Sequence, residues 1–410
     1  MPFQPRLGSL GLLDVTYGLA LLLLLGLGVG LFAEDSAHVG LESQRFALLV
    51  AASGAVTLGY TAHVLTRLTL PRPAMFVTLL LVLPLVVFAL LGSGTTLSIV
   101  ALLGVLISAL VIHERDGDRA LRTVAILLAL ALALSLLVAV LVPGQGRMPQ
   151  FDGAWRGLLA HKNRLGGLAS FGVMLALMYR RDLGRWLWLL LPAAGACLLG
   201  SRSSTALVCT GAALTLWAVL MVVRSPAARV LLVALSVTGT ALGLGSVQES
   251  LGTAFAVLGK DASFTGRVPL WEAILTYGNL GPLGYGLNTY WVPGQELSSA
   301  LTALLGWQPY YSHNGYIEAA IVYGWAVASL LIATLLTLVL RALLRPGDAR
   351  LAALGAFFLM YNFSEAVFTQ YDNPLLPLGV LVFLVMHRAL TEVAPERRPT
   401  GSGLPRILWR

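Results

Sequence analysis

The chain has 410 residues, of which 57% are hydrophobic and only 11% charged, with a mean hydropathy of +0.82. Soluble domains carry about a quarter charged residues, so water is excluded as the main solvent and a single integral-membrane domain over residues 1–410 is expected. The net charge of +8 raises nucleic acid as a partner, but no nucleic-acid motif accompanies it. Basic loops that set topology and meet anionic membrane lipid account for it instead.

Apolar runs in chain order predict twelve transmembrane helices, at 15–33, 46–65, 74–92, 95–112, 121–142, 165–179, 186–200, 203–223, 228–246, 314–340, 351–369 and 374–390. The first, Val15 to Phe32, is long and lacks a clear small-residue cleavage site, so it reads as a retained helix rather than a signal sequence. The third and fourth meet at a tight Gly92-Ser93-Gly94 turn. The sixth and seventh are short, as expected of tilted, kinked or deeply packed segments. Cys197 and Cys209 sit inside apolar runs and read as small buried hydrophobes.

Placing both termini in the cytoplasm puts 19 of the 27 basic residues inside and 8 outside, the asymmetry of the positive-inside rule. An even helix count keeps at least two arginines in every internal cytoplasmic loop. The segment 247–312 then becomes a long periplasmic loop between the ninth and tenth helices. It is rich in Trp and Tyr, and Leu270 to Leu275 and Leu297 to Leu305 read as short interfacial helices. The aromatics suit an interfacial belt and sugar stacking equally well.

Charge near a span is expensive and usually functional. The outer face collects His161, Lys162, Asn163 and Arg164 at the entry to the sixth span, and Arg202 between Ser201 and Ser203. It also collects Arg267, then His313 and Asn314 at the entry to the tenth span, and Glu365 near the end of the eleventh. Arginine and lysine clusters suit phosphate or diphosphate, and a histidine can take a proton at neutral pH. The set points to a transfer in which a diphosphate leaves and a hydroxyl attacks. Each residue also has a plainer role open to it. His161 and His313 suit ordinary interfacial histidines, and Arg202 suits a cap on the dipole of the seventh span. Glu365 suits a structural ion pair, and Lys162 a solvated charge. Asp116-Gly117-Asp118 has the D-x-D pattern of metal-dependent sugar transferases but falls on the cytoplasmic side, where it reads as a solvated turn. No Walker A, H-E-x-x-H or G-x-S-x-G pattern occurs, so energy coupling by ATP within the chain is not expected.

His313-Asn314, nine residues and then Gly324 resembles the H-N-x9-G signature of bacterial O-antigen ligases, of the lipopolysaccharide O-antigen polymerase/ligase superfamily. His161-Lys162-Asn163-Arg164, Ser201-Arg202-Ser203, Gly266-Arg267 before Trp271, and Gly284-Tyr285-Gly286 are similar to other parts of that superfamily over residues 150–370. Val327 and Trp271 depart from its pattern. The resemblance implies an all-α polytopic inner-membrane protein of GT-C-like glycosyltransferase type. It also implies transfer of O-antigen polysaccharide from undecaprenyl diphosphate to lipid A–core oligosaccharide at the periplasmic face, without metal or ATP. His313 would be the general base. Arg202 and Arg267 would hold the diphosphate, while His161, Lys162, Asn163, Arg164, Asn314 and Glu365 would contact substrate. An O-antigen polymerase and a protein O-oligosaccharyltransferase are the neighbouring alternatives. A lipid-linked sugar transporter is the alternative of another class, disfavoured by spans nearly bare of polar residues.

Overall fold

The computed structural model describes residues 11–32, 44–67, 96–232 and 267–391, apart from residues 288 and 346. The span expected at 74–92, the turn after it, Arg72, most of the span at 228–246 and the loop stretch 247–266 with Lys260 lie outside the described residues. So do Arg6 and the arginines beyond residue 391.

The described chain is helical almost throughout. Helices α1 (Leu12–Gly28), α2 (Gln44–Arg67), α3 (Thr96–Asp116) and α4 (Ala120–Leu141) come first. A two-residue β-ribbon follows, Arg147–Met148 paired antiparallel with Ala154–Trp155. Then come α5 (Lys162–Met178), α6 (Leu187–Gly200), α7 (Ser204–Val222), α8 (Arg267–Tyr277) and α9 (Glu296–Leu305). The last four are α10 (Gly315–Tyr323), α11 (Trp325–Leu344), α12 (Ala349–Asn362) and α13 (Leu375–Thr391). Leu, Ala and Val runs without water leave the backbone no partner but itself, and the helix is the only open-chain structure that satisfies it. Among the described residues, six helices are long and apolar enough to cross a membrane: Gln44–Thr66, Thr96–Asp116, Ala120–Leu141, Arg180–Gly200, Ser204–Val222 and Trp325–Leu344. Their outer faces carry Leu58, Trp188 and Val222 almost fully exposed, as side chains that meet lipid would be. The protein is a polytopic membrane protein.

The helices pack through small residues, as helices in lipid do. A Cβ on Gly104 of α3 would collide with Ser53 of α2, and one on Gly28 of α1 would lie 3.3 Å from Ala131 of α4. The chain closes on itself where α13 packs against α3.

Two expected spans are corrected. The tenth is not one helix, because it breaks at Gly324, where φ is +84°. The break leaves carbonyls of α10 without helical partners, and the loop 281–286 supplies them. Tyr285 N–H donates to Ile321 O at 2.8 Å and Gly286 N–H to Val322 O at 3.1 Å, while Trp325 N–H donates to Gly281 O at 3.1 Å. The approach is so close that a Cβ on Gly284 or Gly324 would overlap backbone atoms of the other segment. The eleventh span stops at Asn362, seven residues early, because its Oδ1 accepts the Val367 N–H at 3.1 Å and the chain turns away. Glu365 therefore lies in a loop and not in a helix.

The short helices expected within the long loop are present. They have their own small core of Leu270, Ile274, Tyr290, Trp291 and Leu301, closed by Ile321 of α10. This cap sits at the end of the bundle where α5, α7, α10 and α13 begin.

The opposite end is tied by a separate network. Tyr17 donates to Asp116 at 2.9 Å, Tyr60 to Glu114 at 2.9 Å, and Arg115 pairs with Asp14 at 3.0 Å. Asp116 is thus an acceptor for a neighbouring helix, which corrects the solvated-turn expectation. Buried Arg229 donates to Leu220 and Val223 at the end of α7, and to Leu343 and Arg345 at the end of α11. One guanidinium so satisfies the free carbonyls of two helix C-termini.

The joint at Gly324 generates a contrast. Gly284→Ala should sharply lower the thermal midpoint in detergent, since the new methyl meets backbone that has nowhere to move. Gly211→Ala, in α7 with no atom within 4 Å of its Cβ position, should leave the midpoint unchanged or raise it, by about 0.5–1 kcal/mol of helix propensity. Equal midpoints for the two variants would contradict the close packing at this joint.

Candidate active site

His313 stands two residues before α10, with φ +52°, a left-handed conformation unusual outside glycine. Its neighbours hold it there. The Ser312 N–H donates to Glu318 Oε2 at 2.8 Å, and the Ser312 carbonyl accepts from Trp271 Nε1 at 2.8 Å. Asn314 caps α10 by accepting from the N–H groups of Tyr316 and Ile317. The residue is therefore fixed from α8, from α10 and from its own turn. Such strain costs about 1–3 kcal/mol and persists only where its surroundings over-determine it. Among the described residues, four non-glycines have positive φ, and three of them (Asp152, Arg202 and His313) lie at this end of the bundle.

The Tyr311 ring packs on the His313 imidazole with centroids 3.9 Å apart. Nδ1 of His313 is buried with no hydrogen-bond partner among the described residues. Burial first, then the Arg267 and His161 charges, push its pKa down from the usual 6.5 to about 3. The imidazole is neutral at pH 7, with a lone pair available.

Arg267 opens α8 and reaches the loop after α12. It donates to the Ser364 carbonyl, and to Glu365 Oε1 at 3.0 Å. Glu365 also accepts from Asn163 Nδ2 at 2.7 Å. Asn163 in turn is held by Tyr361, whose hydroxyl donates to its carbonyl at 2.7 Å. Arg267 so has a firm structural partner, where the sequence shows none. Among the described residues, two of the five N–H groups of its guanidinium are engaged and three make no bond.

His161 is the N-cap of α5, its Nδ1 accepting the Asn163 N–H at 3.2 Å. Its ring meets Phe151 edge-on at 5.4 Å, and the Lys162 ammonium lies over the same Phe151 ring at 4.9 Å. Arg202 is exposed and donates to the Asp152 carbonyl at 2.9 Å. The β-ribbon tip, Phe151 and Asp152, thus connects Arg202 to His161 and Lys162. Arg164 turns aside and pairs with Asp372 at 2.7 Å.

Of the nine residues picked from sequence, Asn163, Arg267 and Glu365 are bonded directly. His313 is near enough to Arg267 and to His161 to feel both electrostatically. Lys162 and Arg202 flank them as cations. Arg164 and Asn314 are committed elsewhere, to Asp372 and to a helix cap. Sequence reasoning missed Glu318, Tyr311, Asp372 and Asp152. Glu318 carried the clearest signal, a carboxylate within an apolar run, and the Tyr311–His313 spacing gave a weaker one. No group of three or more His, Cys, Asp or Glu that could hold a metal ion occurs among the described residues.

Residues 187–332 match the family model for O-antigen ligase. The chain is also 30% identical over 281 residues to the exopolysaccharide production protein ExoQ of Rhizobium meliloti (strain 1021). That match covers 62% of this chain and 61% of the relative, so the chain spans about three-fifths of the relative's length. The family model's match takes in α8 to α10, with Arg267 and His313.

With side-chain exposures of 13% and 9%, the Arg267–Glu365 pair should couple strongly. A double-mutant cycle with Arg267→Gln and Glu365→Gln, read by unfolding in detergent, should give a coupling of about 1–3 kcal/mol that survives high salt. Additive losses would mean that the pair does not act as one unit.

Proposed function

Because the chain belongs to the O-antigen ligase superfamily, we propose that it is a glycosyltransferase that moves a polysaccharide from undecaprenyl diphosphate to a sugar hydroxyl of lipid A–core oligosaccharide. The observation that carries this reading is the neutral His313, held in a strained turn beside Arg267. In the reaction the acceptor oxygen attacks the anomeric carbon of the donor and forms the new glycosidic bond. The bond from that carbon to the diphosphate oxygen breaks, and the diphosphate leaves with the electron pair. The acceptor's hydroxyl proton passes to His313. Lys162, Arg202 and the free N–H groups of Arg267 neutralise the charge that develops on the leaving group. A single in-line displacement inverts the anomeric configuration.

The depressed basicity of His313 has a use in this scheme. Two of its three causes are positive neighbours, Arg267 and His161. An anionic diphosphate seated on Arg267 cancels part of that field, so donor binding raises the affinity of His313 for a proton. The base strengthens when the donor is in place.

The same reading takes the protein as twelve-spanning and GT-C-like, in the bacterial inner membrane with both termini cytoplasmic. The site then faces the periplasm under the loop 247–312. A second reading keeps the chemistry and makes the acceptor a growing polysaccharide chain. The name of the relative, an exopolysaccharide production protein, favours it.

Reconstituted protein supplied with lipid-linked donor and lipid A–core should form the ligated product. His313→Ala should lower the rate by about 10²–10⁴-fold, the range for loss of a general base. Lengthened donor chains with unlabelled lipid A–core would select the second reading, and a normal rate for His313→Ala would remove the base from both. The pH dependence has a definite sign. The active imidazole is the neutral one, so activity falls as pH drops through its pKa. In kcat/KM, which reports the free enzyme, the acid limb of the wild type should lie far below pH 6. Arg267→Gln removes one depressing charge and should shift that limb to higher pH.

A further inference from the structure

Beside the His313 turn lies a cleft with about 830 Å³ of non-protein space, part of it open to the outside. Its walls come from the ends of α1 and α2, the segment 286–291, Tyr310 and Tyr311, and the loop 369–372. Tyr311 belongs both to this wall and to the His313 stack. It therefore separates the cleft from the imidazole by the thickness of one ring.

The chemistry of the cleft differs from that of the cationic site. Lys162, Arg202, Arg267 and His161 do not line it. Arg164, the one lining cation among the described residues, is already paired with Asp372 at 2.7 Å. A second carboxylate, Glu318, accepts from Trp291 Nε1 and the Ser312 N–H, both at 2.8 Å. Among the described residues, a phosphate entering here would meet two carboxylates and no free cation. The aromatic rings of Tyr310, Trp291 and Tyr371 line the same space. Two polar groups there are unclaimed among the described residues. The Thr369 hydroxyl is buried without a partner, and the Gln370 side-chain amide also makes no hydrogen bond there. An uncharged, hydroxyl-rich ring with apolar faces meets all these demands, because hydroxyls pair with amide, hydroxyl and carboxylate while the ring faces stack on aromatics.

We infer that this cleft is a binding subsite for an uncharged sugar ring of the acceptor, entering on the side of Tyr311 away from the cations. The assignment to acceptor rests on the transferase reading given above. In-line displacement requires the attacking hydroxyl and the leaving diphosphate on opposite sides of the anomeric carbon. The cations take the diphosphate side, which leaves the cleft for the acceptor. Glu318 does two things here, fixing the Trp291 indole in the cleft wall and the Ser312 amide beside His313. The acceptor subsite and the base are thereby held by one carboxylate.

Gln370→Ala, Thr369→Val and Tyr310→Ala test this without touching the ion pairs or the core. Two readouts are needed. Lipid-free, dephosphorylated core oligosaccharide is titrated onto the full-length protein in nanodiscs, with no donor present, and followed by saturation-transfer NMR. Transfer kinetics are then measured with donor and acceptor varied separately. Gln370→Ala and Tyr310→Ala should each weaken oligosaccharide binding and raise the acceptor KM about tenfold, as loss of one stacking or hydrogen-bonding contact would. The donor KM and kcat should stay within about twofold. Thr369→Val should act the same way while keeping or raising the thermal midpoint, since it removes a buried hydroxyl without a partner. A raised donor KM with an unchanged acceptor KM would overturn the inference, and so would variants that bind the oligosaccharide as wild type does. Sugar binding lost in the variants, with no transfer by the wild type, would uphold the subsite and sink the transferase reading instead.

Discussion

A helix interrupted inside an apolar bundle leaves carbonyl and amide groups with no water to turn to, and each unsatisfied group costs several kcal/mol. The break between α10 and α11 at Gly324 imposes that demand, and the loop 281–286 meets it strand-fashion, backbone to backbone. Much follows from this seam. It anchors the start of the cap formed by α8 and α9, whose small core closes on Ile321 of α10. With the cap seated, Trp271 reaches the Ser312 carbonyl and Trp291 reaches Glu318. His313 is then left no freedom to relax from φ +52°. The strain at His313 is maintained by a seam whose nearest backbone contact, at Ile321, is two turns along the helix.

The electrostatic design has two layers. Arg267 is partly neutralised by Glu365, and Glu365 is shared with Asn163 at the start of α5. This keeps a guanidinium buried at 13% exposure without leaving an isolated charge in a poor solvent, which would be far more costly. Arg202 and the guanidinium edge of Arg267 that makes no bond among the described residues are the cations that the proposed reading assigns to an anion. The Arg267 charge also depresses His313. An anion seated on Arg267 would therefore raise the proton affinity of His313, with no moving part required.

Much of the architecture was legible as sequence, and the failures have identifiable causes. Hydropathy located the helices because lipid exposure demands long apolar runs, and the short helices at 267–277 and 296–305 showed through their Leu and Trp spacing. Hydropathy could not see the break at Gly324, since no charged residue interrupts Val322 to Val327. It carried the eleventh span past Asn362 because Ala366, Val367 and Phe368 are buried in a loop as fully as helix residues are. The candidate residues were found by their cost, as charges near spans. Their pairings were not, because Arg267 and Glu365 lie 98 residues apart and Asn163 and Glu365 lie 202 apart. Side chains so distant carry no mutual periodicity. Gly284 and Gly324 looked like two separate motifs, whereas in space they are the two sides of one joint.

The aromatic content of the long loop, ambiguous in sequence between a lipid belt and a sugar platform, divides in three dimensions. Trp307 and Tyr277 point outward, 43% and 61% exposed, as interfacial residues do. Trp291, Tyr310 and Tyr311 line the cleft, Trp291 buried and Tyr310 still 40% exposed. Trp291 among them is fixed by a polar bond to Glu318, and a lipid belt would have no need of that. A ring fixed by a buried carboxylate is oriented rather than merely tolerated, and orientation matters where one hydroxyl among several on a sugar must be presented to a base. The buried carboxylate at 318 therefore makes better sense as part of a specificity device than as a structural accident within an apolar helix.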